Sequence, residues 1–459
     1  MVAGDKLNKF FYSNAYLFAI AIVTAVLFMI NKPYLSLAIF SLTACIVLLF
    51  YGDFTPFMPI LLLVMLPLND INIFTTVWPY IILSPAILCL IFHFFLYPVK
   101  KFRLGKLFIP FCVITVALLL GGLGSIWAKN YLKNLIMSLS AGPLLLLIYL
   151  LFLNFINPPK NFDLKGYFAT FLSLVGACIV IEYLWRNYLV ELKLTPPNAL
   201  GLGWGNVNTA AAMLLFCIPA CWYLFTKRQN LLFNVFLLLL LYSSLFIIDS
   251  QMTRAITIVF TPGLMIITCL KADTKTKKLL NVLYFLIILG TVCALYYLVI
   301  ANGGIKQLLV NIFDIITRDS RDDLINDAIK EFLKHPILGV GQGYENPDLI
   351  GGTNMVVMFN FHCVFAHLLA TTGIVGTLAY GYYYYSRCKI LMDKYTTFNL
   401  FMAIGFTMIQ IYSFVDAIEF TIMPLMMYLT IYLVVTELSN GKKESILPLK
   451  TKSISFIND

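Results

Sequence analysis

Residues 318–376 read RDSRDDLINDAIKEFLKHPILGVGQGYENPDLIGGTNMVVMFNFHCVFAHLLATTGIVG, a long polar interruption in a chain that is otherwise mostly hydrocarbon. Ser320-Arg-Asp-Asp323 has the form of a capping box with an acid in fourth place. Leu324, Ile325, Ala328, Ile329, Phe332 and Leu333 then recur at helical spacing. The pattern predicts a helix from Arg321 to Lys334 that Pro336 stops. A helix N-terminus offers unpaired N–H groups, and Arg318 and Arg321 add forked cationic donors, so this stretch points to an anion bound at a membrane surface. Asp319, Asp322 and Asp323 leave two readings open: they complement the helix dipole, or they tie the arginines into a surface network.

Further along, Gly339, Gly341 and Gly343 form a GxGxG run. A dinucleotide site is excluded, because no strand precedes the run and the third glycine of GxGxxG is missing. A tight turn re-entering the membrane surface is the expectation. His362 opens the next apolar segment, with His367 five residues on and therefore about 140° round a helix. That offset excludes a metal ion shared by the two rings.

Outward from this stretch the composition decides the class. Of 459 residues 61% are hydrophobic and 12% charged, with a mean hydropathy of +0.88. No soluble domain has this balance. The chain reads as an all-α polytopic membrane protein of about 12–14 transmembrane helices, each needing roughly 20 apolar residues. The segment Phe54 to Leu68, with Pro56 and Pro59, is the shortest. The expected organisation is spans in residues 1–300, an extracytoplasmic loop with the functional helix in 301–361, spans in 362–438 and a cytoplasmic tail in 439–459. The stretch Asn14 to Ile30 is expected to be a retained span, since no cleavage pattern stands apart from it.

The net charge of +10 is spread through short loops, so it reports topology rather than nucleic-acid binding. With Lys6 and Lys9 cytoplasmic, the positive-inside rule puts Lys100, Lys101, Arg103, Lys106, Lys227, Arg387 and Lys389 on the same side and residues 301–361 on the other. The ten cysteines show no CxxC or ligand spacing, and Cys217 and Cys221 read as small packing residues in one span. His93, alone in an apolar run, reads as a packed histidine. Asn206 and Asn208 open the eighth span, where paired amides cap a helix or bind sugar hydroxyls. Arg254, at the head of the tenth span, either snorkels, pairs with Asp249 or binds a ligand.

Several of these residues together resemble a known family. His362, Cys363, nine residues, Gly373, two residues and Gly376 are similar to a pattern of the bacterial O-antigen ligase and O-antigen polymerase superfamily, with Cys363 departing at the second place. Ser320-Arg321-Asp-Asp-Leu324 resembles its Gly-Arg-x-x-Leu, and His335-Pro-Ile-Leu-Gly-Val-Gly-Gln-Gly343 its His-Pro-Leu-x-Gly-x-Gly-x-Gly. Gly205-Asn-Val-Asn208 and Thr253-Arg254-Ala255 match two further motifs in order. The resemblance implies a cofactor-free, metal-independent, inverting glycosyltransferase that takes a glycan from an undecaprenyl-diphosphate carrier. Its catalytic residues by position would be Arg254, Arg321 and His362. Asn206, Asn208, Arg318, Gly339, Gly341 and Gly343 would bind substrate. The implied partners are the carrier-linked glycan, an acceptor glycan or glycolipid, membrane lipid and a chain-length regulator; the implied place is the bacterial inner membrane, with the site facing outward.

Three other readings compete. A ligase would move a finished polymer to lipid A core or another surface acceptor, whereas a polymerase would extend the repeat. A flippase or transporter would carry inverted repeats and broken helices, which the sequence does not display. A metal-dependent oligosaccharyltransferase would need a carboxylate-bound cation, for which only Asp319, Asp322, Asp323 or Glu345 are placed.

Overall fold

A computed structural model describes residues 9–69, 71–99, 101–123, 134–135, 138–194, 207–227, 231–247, 250–271, 286, 290, 297, 300, 303–304, 306–307, 320–342, 361, 363–416, 419 and 423–441. The protein is all-helical among these residues. In chain order the principal helices are α1 (Asn14–Met29), α2 (Pro33–Phe50), α3 (Leu62–Asn69), α4 (Trp78–Leu96), α5 (Phe108–Leu120), α6 (Leu145–Phe155), α7 (Leu164–Glu191), α8 (Val207–Phe225), α9 (Leu231–Ile247), α10 (Gln251–Lys271), α11 (Ser320–Lys334), α12 (Val364–Met392), α13 (Thr397–Ser413) and α14 (Met423–Gly441). Six are long and apolar enough to cross a membrane, and shorter apolar helices stand beside them. The protein is a multi-pass membrane protein. The eleventh expected span falls almost wholly outside the described residues.

Burial sorts the helices into a centre and a rim. In α7 and α8 the apolar windows are 89% and 94% buried, against 17% in α4 and 33% in α2, so the first pair forms the axis and the second faces lipid. Close approach of α7, α8 and α9 depends on small residues: a Cβ added at Gly176 would come within 2.7 Å of Leu241 and 3.0 Å of Cys217. Cys221 Sγ lies 3.6 Å from the Asn234 carbonyl, so the two cysteines pack, as their spacing suggested. His93 is fully buried, with Nδ1 2.8 Å from the Leu48 carbonyl and its ring among Phe54, Tyr97 and Phe155.

The short third segment is a wedge. Pro56 and Pro59 remove backbone donors, and the chain answers with two 3₁₀ turns, Thr55–Phe57 and Pro59–Leu61, before α3 begins. The carbonyl of Pro56 is taken by the Tyr16 hydroxyl at 2.9 Å, and that of Leu63 by Ser36 at 2.6 Å. Met58, Ile60, Leu62 and Met65 are fully buried. Fourteen residues in this mixed form reach only about 24 Å, short of the roughly 30 Å hydrocarbon core.

Hydrogen bonds sort the loops into two ends. At one end Asp53 accepts from the Tyr12 hydroxyl (2.7 Å), the Thr55 hydroxyl and N–H (2.9 and 3.0 Å) and the Asn157 N–H (2.8 Å). Lys106 pairs with Asp393 at 2.8 Å and Lys227 with Asp163 at 3.3 Å. Glu437 accepts from the Lys106 N–H and the Tyr149 hydroxyl, both at 2.7 Å. At the other end Trp185 donates to the Met29 carbonyl, and Tyr412 to that of Asn208.

Two expectations are corrected. Arg387 does not belong to a basic loop: it is 1% exposed, pairs with Glu419 at 3.0 Å, and sits against the rings of Tyr380, Tyr383, Tyr384 and Phe406. A charge this far inside apolar surroundings persists because its partner and the ring faces replace water. The second correction concerns broken helices. α12 is broken at Gly373, which has φ 63° and ψ −160°. The ring centroids of Phe365 and Tyr380 stand 6.1 Å apart, although fifteen residues of straight helix would separate their Cα atoms by about 22 Å. Residues 364–372 are therefore a half-helix folded over the rest of α12.

Candidate active site at the broken helix

The predicted amphipathic helix is α11, Ser320–Lys334, and it ends one residue before His335-Pro336, as the proline requires. Its apolar residues divide. Ala328 turns inward, where with Phe361 and Ala370 it forms a small buried cluster against the half-helix. Ile325, Ile329 and Leu333 are exposed in a line along the helix, and Ile337 continues it, the pattern of an interfacial helix meeting lipid. Lys330–Asp327 and Lys334–Glu331 pairs line the polar side.

The glycine run splices into the break of α12. In an unbroken helix the N–H groups of Ile374 and Val375 would bond to the carbonyls of Ala370 and Thr371. Here Ile374 donates to Pro336 (2.9 Å) and Val375 to Ile337 (3.3 Å), while Val340 and Gly341 donate to Ala370 and Thr371, each at 2.8 Å. Two helical bonds are exchanged for four bonds to the loop, and the break leaves none of these groups orphaned. Such contact demands absent side chains. A Cβ at Gly339 would lie 2.3 Å from the Thr371 carbonyl carbon, and one at Gly373 would lie 2.4 Å from that of Ile337.

The end of α5 closes the lock from the other side. Gly122 donates to the Leu338 carbonyl at 2.9 Å. Asn134 donates from Nδ2 to the Gly121 carbonyl and accepts at Oδ1 from the Gln342 N–H, both at 2.6 Å. Beneath the lock, an open apolar groove of about 650 Å³ runs between α5 and α12, lined by Cys112, Val116, Val375, Leu378 and Tyr382 among others.

Gly339 and Gly341 are buried in this lock, the first against the Thr371 main chain and the second against the Asn134 side chain. Gly376 accommodates Thr372, whose Oγ1 would be 1.8 Å from an added Cβ. Cys363 occupies the N-cap of α12 without a side-chain cap bond. Asn208 is exposed at the start of α8, and Arg254 is half-buried in the first turn of α10 beside buried Thr253, whose hydroxyl is 2.9 Å from Ser250. Arg321 lies in the first turn of α11. Its side chain, and Asn206, Arg318, Gly343 and His362 altogether, lie outside the described residues. The structure thus gathers the glycines and α11 at the half-helix, and puts Arg254 and Asn208 on neighbouring spans α10 and α8.

One polar pocket under the half-helix escaped the sequence reading. His367 is 1% exposed, and neither ring nitrogen finds a hydrogen-bond partner among the described residues. An orphaned buried polar group costs about 1–3 kcal/mol. Asp416, 7% exposed on the turn after α13, is within electrostatic reach of the ring, and Phe361 packs against it at 6.1 Å between centroids. Deeper, Glu419 accepts from Tyr380 (2.9 Å), Gln410 and Arg387. Two carboxylates within the apolar run 411–431 were the available signal, since acids inside spans mark sites or partners. Among the described residues no three of His, Cys, Asp and Glu come together in a form that would hold a metal ion.

Residues 199–381 match the family model described as O-Antigen ligase. That segment reaches from the approach to α8, through Arg254, α11 and the lock, to the first turns beyond the break. No curated protein and no solved structure matches the chain. Over those residues the chain is similar to the O-antigen ligase family, the family its motifs resemble.

Proposed function

We propose that this protein is a membrane glycosyltransferase that moves a glycan from an undecaprenyl-diphosphate carrier to an acceptor sugar hydroxyl on the outer face of the bacterial cytoplasmic membrane. The observation that carries the reading is the coincidence of the O-antigen ligase match with the end of the bundle where α11 is locked onto the broken α12. Arg254 and Arg321 are assigned to the diphosphate, with Arg318 and the N-terminus of α11 beside them. As the glycosidic bond breaks, charge grows on phosphate oxygens, and placed guanidinium groups stabilise it where water is scarce. His362 receives or orients the acceptor proton. Asn206 and Asn208 bind sugar hydroxyls. The groove between α5 and α12 suits the carrier's polyprenyl chain, since its walls are apolar and it ends at the lock. Direct displacement inverts the anomeric centre, and no divalent cation takes part.

Within this reading the activity is that of a polymerase extending an O-antigen or capsular repeat, with a chain-length regulator as partner. The ligase reading is favoured by the description of the matched family itself. The two are separated by the acceptor used: a second carrier-linked repeat, or lipid A core.

The deciding experiment is transfer by purified full-length protein in lipid, with a lipid-diphosphate glycan and excess chelator. Transfer should persist, and Arg254→Lys or Arg321→Lys should remove most of it while the protein stays inserted, because an ammonium cannot reproduce a bidentate fork. Loss in chelator with recovery in magnesium or manganese would overturn the metal-free mechanism. Normal transfer by both Lys variants would reduce the two arginines to anchors.

A further inference from the structure

We propose that Tyr380, its hydroxyl fixed on the buried Glu419–Arg387 pair, is a positioning residue for transfer: its ring sets the tilt of the half-helix whose N-cap is Cys363. The inference rests on the glycosyltransferase reading above and deepens it. The residue before that N-cap in the chain is His362, to which the acceptor proton is assigned.

The break at Gly373 divides α12 into two arms. Phe365 lies eight residues before it and Tyr380 seven after it, about 12 and 10 Å along a helix. Far from the break the arms meet again: the two rings stand edge to face, 6.1 Å between centroids and 82° between planes, and Phe414 at the C-cap of α13 flanks Phe365 at 5.4 Å. The glycine lock grips the arms only at the break. A contact far from a pivot sets the angle, since a tilt of about 5° moves the end of an arm of about 12 Å by roughly 1 Å. A displacement of about that size can cost a reaction about 10²-fold. The face toward α11 is held separately, by Ala366 and Ala370 in the cluster with Ala328 and Phe361. Those two alanines are about 100° and 140° round from Phe365.

The hydroxyl explains why the ring is a tyrosine. Tyr380 is 1% exposed, and its one O–H proton goes to Glu419 Oε2 at 2.9 Å, with Gln410 Oε1 the longer alternative at 3.2 Å. Arg387 Nη2 donates to the same carboxylate oxygen at 3.0 Å, and Gln410 Nε2 donates to the other. The carboxylate thus collects donors from α12 and α13 around the foot of the ring. An apolar filling of this space would be as stable as a buried ion pair, or more so. A ring held at its far end by a hydrogen bond, however, cannot slide along its neighbour.

The test uses full-length protein in lipid with a carrier-linked glycan, comparing wild type, Tyr380→Phe, Tyr380→Leu, Phe365→Ala and the double variant Tyr380→Leu with Phe365→Ala. Tyr380→Leu and Phe365→Ala should each lower kcat by about 10²-fold with the donor KM unchanged, because the arginines assigned to the diphosphate are untouched. Tyr380→Phe, which keeps the ring and loses the hydroxyl, should fall less. The double should be no slower than either single, since both remove one contact. A second readout needs no activity: Cys363, half-buried at the N-cap, should react faster with a small water-soluble maleimide in Tyr380→Leu than in wild type, each measured against its own Cys363→Ser control. Should Tyr380→Leu fail to accumulate in the membrane, Phe365→Ala decides both readouts, its side chain being 40% exposed. Inserted variants with wild-type kcat, a raised donor KM at unchanged kcat, losses that multiply in the double, or an unchanged Cys363 rate overturn the positioning role and leave the proposed function standing. A wild-type protein that consumes no lipid-diphosphate glycan overturns the function and the role in transfer together.

Discussion

The two ends of the bundle are fastened by opposite chemistry. At the end holding Asp53, Asp163, Asp393 and Glu437, carboxylates reach across loops to hydroxyls, lysines and N–H groups. At the end holding α11, backbone meets backbone, and glycines clear the way. A carboxylate clasp is made by long, adjustable side chains, so its loops keep freedom of sequence. A backbone lock fixes two main chains at one separation and leaves the neighbouring side chains free. On the proposed function, the end that carries the chemistry has the second kind.

The sharpest way to break this contrast is Gly373→Val. The residue needs φ 63°, and its Cβ would lie 2.4 Å from the Ile337 carbonyl. A destabilisation on the order of 5 kcal/mol follows, the range kept for strain and overpacking combined. Thermal unfolding in detergent should show it, and a midpoint unmoved by the substitution would mean that the break is not held by this contact. The interior pair gives the next largest effect. Arg387→Met leaves Glu419 buried without its cation, at a cost of about 3–5 kcal/mol, whereas Arg387→Met with Glu419→Leu should recover much of it. A double variant as unstable as the single would assign the pair a role beyond its own charges.

The carboxylate clasp should yield more gently. Asp53→Ala removes four hydrogen bonds, for a loss of about 3 kcal/mol, while Asp53→Asn keeps an oxygen for Thr55 and Asn157 and an amide for Tyr12. Burial pushes the Asp53 carboxyl above its ordinary range, outweighing the hydrogen bonds from Asn157, Thr55 and Tyr12 that draw it down. The sign follows from linkage. A carboxyl that holds its proton more tightly when folded favours folding below its unfolded pKa, and that contribution is lost as pH rises through the folded value. Asp53→Asn should therefore flatten the pH dependence of stability across this window. A variant whose stability tracks wild type at every pH would place the burial penalty elsewhere.

How far the sequence led is clearest at α11 and α12. Residues Ser320 to Lys334 announce a helix through capping, period and a terminal proline, all of them local signals. The glycines at 339 and 341 announce a tight turn for the same reason. What they turn against was not legible, because the partners are the carbonyls of Ala370 and Thr371, thirty residues away, and carbonyls leave no mark in a sequence. Arg387 was misplaced for a related reason: beside Lys389 and Lys394 it looks like part of a loop cluster, and only Glu419, arriving from beyond α13, draws it inside. Cys217, Cys221 and His93 were readable as packing because nothing polar stood at helical spacing around them.

The splice at Gly373 also has a bearing on how this region can vary over evolution. Its four bonds are made by main-chain atoms of residues 336, 337, 340 and 341 with 370, 371, 374 and 375. Identity at Val340 or Ile374 is nearly irrelevant to them, but position is not. Adding or removing one residue within 336–341 or 370–375 would put the donors opposite donors. The segment works as a ruler: apart from its glycines it tolerates rewriting letter by letter, and it rejects any change in count.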